Sequence, residues 1–305
     1  MSFKIAYCAG HYLQTPGKRL PRELDEAQTR EWVLNSRVAE YFARAALEYP
    51  GVQLLRTDDS TGQTEVTIAK RTAGANAWGA DLYIDMHHNA GINLGSGGGV
   101  EAYCYPGSEK GSVYRDAIYE AIIAAGGLKG NRSRPLQEKK FDSLALTKMP
   151  AVLIEYGFMD SKTDAPVILT DDYARKVAYA TMAGIAKAAG LEKQQMQQDS
   201  GYSQEDFIRD VQKAIGAKVD GIAGPETLSK TPTLSQQKNS THAAVAPVQK
   251  YLYVLGYTAV GAADGVAGPK FTAAVVDFQG DYRCWTDGEI TARNKTWKCL
   301  LGMQT

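Results

Sequence analysis

Several features that would point to particular classes of protein are missing from this 305-residue sequence. Lysines plus arginines equal aspartates plus glutamates, at 34 each, so no net charge attracts nucleic acid or another polyanion. No stretch approaches the ~18 consecutive apolar residues that a membrane-spanning helix needs. We therefore expect neither nucleic-acid binding nor insertion into a membrane.

Cysteine is scarce, and its spacing excludes two common kinds of site. The four cysteines include no CxxC pair, which argues against a zinc knuckle and a thioredoxin motif. We expect free, mostly buried thiols, with a bridge between Cys284 and Cys299 as the less favoured alternative. The amino terminus also lacks the basic region and apolar core of a signal peptide. We expect synthesis in a cytoplasm and, if the protein acts outside, another route of release.

Three segments share one form, an apolar run typical of a buried strand followed at once by polar residues. Their polar ends are Gly10-His11, His87-His88 and Glu155. Ligands of open α/β sheets sit beyond the carboxyl ends of the strands. Three strands that deliver His, His and Glu to one edge therefore suggest a metal hydrolase.

Further predicted elements alternate between strand and helix over residues 1–190. They are strands at 52–56 and 100–105, and helices that begin near residue 29 or 30 and that span 65–78, 111–125 and 173–190. Thr29 is the expected cap of the first helix, and Glu31 lies in its first turn, where a carboxylate suits the helix dipole. The alternation predicts an α/β fold with a mostly parallel sheet covered by helices on both faces.

A polar, glutamine-rich stretch at residues 191–201 has nothing to bury. We therefore predict a first domain over residues 1–190, a linker over 191–204 and a second domain over 205–305.

The second domain contains an internal near-repeat. Val-Gln-Lys followed by Asp-Gly-x-Ala-Gly-Pro occurs within 211–225 and again within 248–269, and a partial third copy has Asp-Gly at 287–288. Asp-Gly-x-x-Gly-Pro suits a tight turn that opens a helix with proline at its first position. The repeat predicts a small, mostly helical domain.

Zinc in hydrolases usually keeps three protein ligands and one open position. His11, His87 and an acidic residue between them are the candidate ligands. Spacing alone leaves four carboxylates open for the third place: Glu23, Asp25, Glu26 and Glu31. Glu155 would be the general base or acid, passing a proton from water to the leaving amine. A glutamate at the end of an apolar strand is costly unless it is paired or functional, which favours this role.

Four motifs, in this order, resemble a known family. They are Gly10-His11, Arg30-Glu31-Trp32 with Asn35, Met-His-His-Asn-Ala at 86–90 and Pro-Ala-Val-Leu-Ile-Glu-Tyr-Gly-Phe at 150–158. They are similar to the zinc-dependent N-acetylmuramoyl-L-alanine amidases of the type-3 kind, which include spore and cell-separation amidases and many phage endolysins. The resemblance covers residues 3–188, and the segment at 15–19 followed by 30–32 looks like the endolysin branch.

The resemblance implies a six-stranded, phosphorylase/hydrolase-like sheet between helices and cleavage of the amide between N-acetylmuramic acid and L-alanine. It selects Glu31 as ligand and His87 over His88, so that one Zn²⁺ would be held by His11, Glu31 and His87, with Glu155 as catalyst. Two departures stand out. Residues 12–14 replace a glycine-rich loop of the family, and His88 replaces a small or apolar residue.

The carboxy-terminal part resembles peptidoglycan-binding domains, most clearly over residues 248–279. This implies peptidoglycan as the partner, and Tyr257 and Trp297 are candidate walls of a binding groove. The expected place of action is the cell wall, reached after holin-mediated release or lysis. The sequence leaves the oligomeric state and the phage or bacterial origin open.

Weaker site predictions and rival functions remain. His88, Asn89 and Arg71 are candidate substrate contacts, although structural roles are favoured for His88 and Arg71. The basic, irregular residues 126–140 are interpreted as solvated surface, with contact to acidic stem peptides as the alternative. The rival functions are a zinc peptidase that cuts within the stem peptide and a non-catalytic wall-binding protein.

Overall fold

The computed structural model describes residues 2–193 and 201–304, and the chain divides into two compact units, Met1–Lys193 and Gln194–Thr305. Most of the predicted linker, residues 194–200, lies outside the described residues. Its flanks belong to the units, because Leu191 packs on the core of the first and Tyr202 is buried in the core of the second.

The first unit alternates strands with helices, as predicted. The strands are β1 (Phe3–Ala9), β2 (Val52–Arg56), β3 (Leu82–Asn89), β4 (Glu101–Cys104), β5 (Leu136–Glu138) and β6 (Ala151–Phe158). The helices are α1 (Glu31–Ala46), α2 (Ile68–Trp78), α3 (Glu109–Ala124), α4 (Asp142–Ala145), α5 (Ala165–Ile168) and α6 (Asp171–Ala189).

The six strands form one sheet in the order β2-β1-β3-β6-β4-β5. Neighbours are parallel except for the β4–β6 pair, which is antiparallel. Helices α1, α3 and α6 pack around the larger core, and α2 and α4 lie on the other face. The predicted α/β class and six-stranded sheet are confirmed. Since β1, β3 and β6 are adjacent and parallel, their carboxyl ends meet at one edge.

The two-residue period of β3 decides which side chains face each helical layer. Leu82, Ile84 and Met86 belong to the core under α1 and α6, whereas Tyr83 belongs to the core on the α2 side. Asp85 and His87 share the face of Tyr83, and His88 lies on the opposite face. The two adjacent histidines therefore have different surroundings.

Some local predictions were wrong. Helix α1 has Arg30 at its N-cap, without a side-chain hydrogen bond, so Thr29 is not the cap. The segment predicted to be irregular at 126–140 contains β5, whose register pairs Ala102 with Leu136. This three-residue polar edge strand forms because it pairs with β4, so no periodicity in its own sequence predicts it.

The second unit is small and helical, as predicted. Its elements are α7 (Gln204–Ile215), α8 (Pro225–Lys230), α9 (Val245–Val254), a 3-10 helix (Thr258–Val260), α10 (Pro269–Asp281) and α11 (Lys295–Leu300), which share one core. The thiols of Cys284 and Cys299 are unbridged, with their Sγ atoms 3.9 Å apart. None of the helices in the described part of the chain is long and apolar enough to cross a membrane.

A buried glutamine organises each copy of the repeat. The Nε2 of Gln212, Gln249 and Gln279 donates to the aspartate of the following Asp-Gly turn, at 2.9, 2.8 and 3.0 Å. Each Oε1 accepts the backbone N–H of the glycine in that turn, at 2.9 Å in all three copies. The third copy is therefore complete, because its glutamine comes from α10 of the preceding copy.

Candidate metal centre and active site

Two histidines and a carboxylate converge at the sheet edge. The Nε2 of His11 and the Nδ1 of His87 lie 3.3 and 3.0 Å from the Oε1 of Glu31. One ligand atom from each of the three lies within 4.8 Å of the others. Of the four carboxylates that spacing left open, Glu31 is the one in this cluster, whereas Asp25 accepts the N–H of Thr29 at 2.6 Å.

Local sequence explains how the three side chains meet. A Cβ on Gly10 would lie 2.0 Å from Cε1 of His87, so glycine at this position lets the imidazole lie against the end of β1. Asn35, one turn after Glu31 on α1, donates to the carbonyl of Gly10 at 3.1 Å and contacts Nδ1 of His88 at 2.7 Å. Asn35 thus ties the helix that carries Glu31 to both strands.

The electrostatics of the cluster favour an ionised carboxylate between imidazoles. Burial of Glu31 acts to raise its pKa, but the neighbouring imidazoles of His11 and His87 outweigh burial and hold the pKa well below its usual value. Burial lowers the pKa of His11. In His87, burial acts to lower the pKa, and the charges and hydrogen bonds of Asp85 and Glu31 raise it well above the usual value.

Two buried atoms of the cluster are left without a partner in hydrogen-bonding geometry, the Nε2 of His11 and the Oε2 of Glu31. The Nζ of Lys18 lies 3.4 Å from this oxygen. Unsatisfied buried polar atoms are rare in native proteins and suggest that a ligand completes them. Two imidazoles and one carboxylate form a donor set that suits zinc with one open position, so the residues fit the metal that the family resemblance implies.

Asp85 is a neighbour of the cluster that sequence reasoning missed. Its Oδ1 lies 3.1 Å from Nε2 of His87 and accepts the thiol of Cys8 at 3.0 Å. Asp85 is only 4% exposed. A carboxylate on the outer ring nitrogen orients a histidine and fixes its tautomer. The signal in the sequence was a charged residue inside an apolar strand, two positions before His87.

Glu155 lies beside the cluster on β6, where it pairs in register with His87. Its Oε2 is buried and has no hydrogen-bond partner. Burial raises the pKa of Glu155 to about 8, with the charge of His87 opposing the rise and that of Glu31 adding to it. A carboxyl group with a pKa near neutrality, next to a candidate metal centre, has the properties of a general acid or base.

The three weaker site predictions in this unit have different outcomes. His88 is 2% exposed and its Nδ1 contacts Asn35 at 2.7 Å, which agrees with the favoured structural role, and its role towards substrate stays a prediction. Arg71 is 6% exposed and donates to the carbonyls of Ala9 and His11, both at 2.7 Å, so it supports the backbone of the cluster instead. The amide of Asn89 donates to Glu101 at 2.8 Å, and its role towards substrate stays a prediction.

In the second unit, Trp297 is fully buried and its indole N–H donates to the carbonyl of Pro232 at 2.7 Å. It belongs to the core, so the prediction that it lines a groove is wrong. Tyr257 is half-buried against Phe278, and its wall-binding role stays a prediction. Of the large hydrophobic side chains that the structure describes, Trp285 is the most exposed, at 81%. Sequence reasoning missed it, although it stands in a polar turn directly before the third Asp-Gly motif.

A sheet edge with a His-Glu-His cluster and an adjacent buried carboxyl group defines the class of α/β proteins with a candidate hydrolytic metal centre. The chain belongs to the N-acetylmuramoyl-L-alanine amidase family, whose sequence model matches residues 5–187. Residues 241–300 match the model of a putative peptidoglycan-binding domain. That second match includes the second and third copies of the glutamine-centred repeat and leaves the first copy outside it.

Individual relatives agree with the family. N-acetylmuramoyl-L-alanine amidase CwlM of Bacillus licheniformis is 36% identical over 149 residues, which cover 48% of this chain and 54% of that protein. The endolysin of Bacillus phage SPP1 is 34% identical over 133 residues, covering 41% of this chain and 46% of that protein. The chain thus spans about half the length of these curated relatives.

Solved structures show the same fold. The crystal structure of an N-acetylmuramoyl-L-alanine amidase from Clostridium difficile 630 matches with a TM-score of 0.56 and 22% identity, covering 62% of this chain and 97% of that one. The catalytic domain of CwlV, an amidase from Paenibacillus polymyxa, matches with a TM-score of 0.54 and 19% identity, covering 62% of this chain and 99% of that one. At these identities the likeness concerns the fold.

Proposed function

We propose that this protein is a zinc-dependent N-acetylmuramoyl-L-alanine amidase that cleaves the bond between N-acetylmuramic acid and the L-alanine of the peptidoglycan stem. The observation that carries the proposal is the convergence of His11, Glu31 and His87 next to Glu155 at one sheet edge. The family match supports the choice of bond. His11, Glu31 and His87 would hold the ion.

Zinc at this position would polarise the scissile carbonyl and make a water molecule a stronger acid. Glu155 takes a proton from the attacking water and delivers it to the amide nitrogen, which leaves as the free amine of L-alanine. Its buried position suits both steps, because burial raises the pKa of this carboxyl group in the metal-free protein and so moves proton exchange towards neutral pH. Asp85 holds the ring of His87 with Nδ1 towards Glu31.

The second unit would hold the enzyme on its insoluble substrate and raise its effective concentration there. The match to a putative peptidoglycan-binding domain supports this role. We place its action at the cell wall, after holin-mediated release or lysis of the producing cell.

The decisive experiment combines Glu155→Gln with identification of the new chain ends. We expect purified walls treated with the wild-type protein to gain free L-alanine amines, and we expect Glu155→Gln to lower turnover roughly 100- to 10,000-fold. The variant should still bind one zinc per chain, measured by metal analysis, since His11, Glu31 and His87 remain.

Other results would select a rival function. New amines on residues other than L-alanine would indicate a peptidase of the stem peptide. Equal activity of the wild-type protein and Glu155→Gln would remove Glu155 from the mechanism. Stoichiometric zinc without any wall solubilisation would indicate a wall-binding protein that does not catalyse.

A further inference from the structure

Charged side chains form a row across three neighbouring strands. His87 on β3 pairs in register with Glu155 on β6, and Glu155 pairs with Glu101 on β4. Directly opposed residues of an antiparallel pair project from the same face, with Cβ atoms roughly 4.5–5.5 Å apart. The row therefore continues from the candidate metal centre, past the proposed general base, to Glu101.

Glu101 is 1% exposed and its carboxylate is fully engaged within the protein. Its Oε2 accepts the amide of Asn89 and the hydroxyl of Tyr103, both at 2.8 Å. Its Oε1 accepts the Nε2 of Gln137 at 3.2 Å and the Nε of Arg132 at 3.1 Å. Glu101 is therefore not itself a ligand site. It fixes the position of the guanidinium group of Arg132.

The ring contact of Arg132 and the hydrogen bonds of the residue before it add to this anchoring. Its guanidinium carbon lies 5.3 Å from the ring centroid of Phe158, the last residue of β6. The preceding residue, Asn131, donates its N–H to the carbonyl of Gly98 at 3.2 Å and accepts the N–H of Gly98 at 2.9 Å. The guanidinium group is thus held at its Nε by Glu101 and on one face by the ring of Phe158.

The outer edge of the same guanidinium group is open. The side chain of Arg132 is 43% exposed, and its Nε is the atom that bonds to Glu101. Among the described residues, its two terminal amino groups have no hydrogen-bond partner. A planar pair of N–H donors presented to solvent matches the geometry of a carboxylate, which it can bind through two parallel hydrogen bonds.

We propose that Arg132 binds the α-carboxylate of the acidic residue that follows L-alanine in the stem peptide. This rests on the proposed function, which places the L-alanine amide beside Glu155. Adjacent strands lie ~4.8 Å apart, and consecutive Cα atoms about 3.8 Å apart. A stem peptide that leaves the reacting centre along the row brings its second residue close to Arg132. Walls in which this carboxylate is amidated would then be poorer substrates.

Binding of two uncleavable peptides tests the proposal. They are L-Ala-γ-D-Glu-L-Lys with a free α-carboxylate and the same tripeptide with an α-carboxamide. Titration calorimetry of the zinc-loaded, full-length protein should show roughly 10- to 100-fold tighter binding of the free acid. Arg132→Gln should lose this preference. Arg134→Gln, which removes the same charge from an exposed arginine two residues away, should keep it.

Two results would overturn the proposal. One is equal affinity of the wild-type protein for the two peptides, and a failure to bind either peptide counts as the same result. The other is a preference for the free acid that persists in Arg132→Gln. Since neither peptide contains the scissile bond, these results do not depend on turnover. Failure of the proposed function would appear separately, as an absence of new L-alanine amines on purified walls.

Discussion

The two units differ in whether their buried polar side-chain atoms have hydrogen-bond partners. The five buried side-chain atoms without a hydrogen bond among the described residues all belong to the first unit: His11 Nε2, Glu31 Oε2, His88 Nε2, Glu155 Oε2 and Asp160 Oδ1. In the second unit, the three buried glutamines of the repeat form hydrogen bonds through both the oxygen and the nitrogen of their amides.

This difference distinguishes polar atoms that await a ligand, in the first unit, from polar atoms that stabilise the fold, in the second. A buried polar atom without a partner costs roughly 1–3 kcal/mol, so several at one sheet edge indicate that a ligand completes them. The glutamines of the second unit instead satisfy the backbone of tight turns and so stabilise the fold directly.

Asp85→Asn should weaken zinc binding roughly 10- to 100-fold, because the amide no longer provides a charged acceptor for Nε2 of His87. Competition with a chelator of known affinity measures the dissociation constant. Asp58→Asn is the matched control, since this carboxylate side chain is also buried but pairs with Arg56 at 2.9 Å. A lower melting temperature with unchanged zinc affinity in Asp85→Asn would make its role merely structural.

Gln249→Ala should destabilise the second unit by about 1–3 kcal/mol, because Asp264 and the N–H of Gly265 lose their partner. Zinc affinity should not change. Denaturant unfolding gives the free energy, and Gln236→Ala, at an exposed glutamine of the same unit, should stay within about 0.5 kcal/mol of the wild type. Equal stability of the two variants would contradict the role given to the repeat.

Without metal, Glu155 should make stability depend on pH. Its pKa in the folded protein is raised from the usual 4.5 to about 8, so folding favours the protonated form. The resulting stabilisation is complete below the unfolded pKa and is lost as the pH rises through the folded pKa. Glu155→Gln cannot ionise and should melt several degrees above the wild type at pH 9 but not at pH 4. Chelator-treated samples measured across this range provide the test.

The exposed carboxylate variant Glu23→Gln serves as the control for that experiment. It should follow the wild-type melting curve at every pH. A constant difference between Glu155→Gln and the wild type would show that Glu155 does not titrate between these limits.

Trp285→Ala should weaken binding to purified walls by a few-fold, because an exposed indole can stack on a sugar ring at little cost to the fold. Co-sedimentation at several protein concentrations measures this. Exchange of Val254, another exposed hydrophobic residue of the second unit, for alanine is the control. Unchanged sedimentation of Trp285→Ala would leave the wall contact to another surface.

Hydrophobic periodicity and the polar residues at strand ends predicted the fold correctly where the elements are long or strongly apolar. Strand β3 and its histidines are an example, because an apolar run that stops abruptly at polar residues is typical of a buried strand reaching the sheet edge. Short polar elements such as β5 could not be predicted, since pairing with β4 creates them. The third repeat looked partial for a similar reason, because its Gln279 belongs by sequence to the preceding copy.

The roles of individual side chains show the same contrast between what neighbouring residues indicate and what distant segments determine. Trp285 stands in a polar turn, but only the packing of the second unit shows that it is 81% exposed and that Trp297 is fully buried. Asp85 stands out in the sequence as a charged residue inside an apolar strand, but its role and that of Glu101 follow from the residues that they contact. Their partners come from distant segments, such as Arg132 for Glu101 and Cys8 for Asp85.

Which chemical groups are present and at which strand ends they stand can be read from the residues alone, because alternation and helical spacing act over a few neighbouring residues. Which of these groups share a site becomes clear from the folded chain. Contacts between β1, α1, β3, β4 and β6 depend on the order of the strands in the sheet and on the face to which each side chain points. Those relations arise from packing the whole sheet against its helices, and no short stretch of the chain contains them.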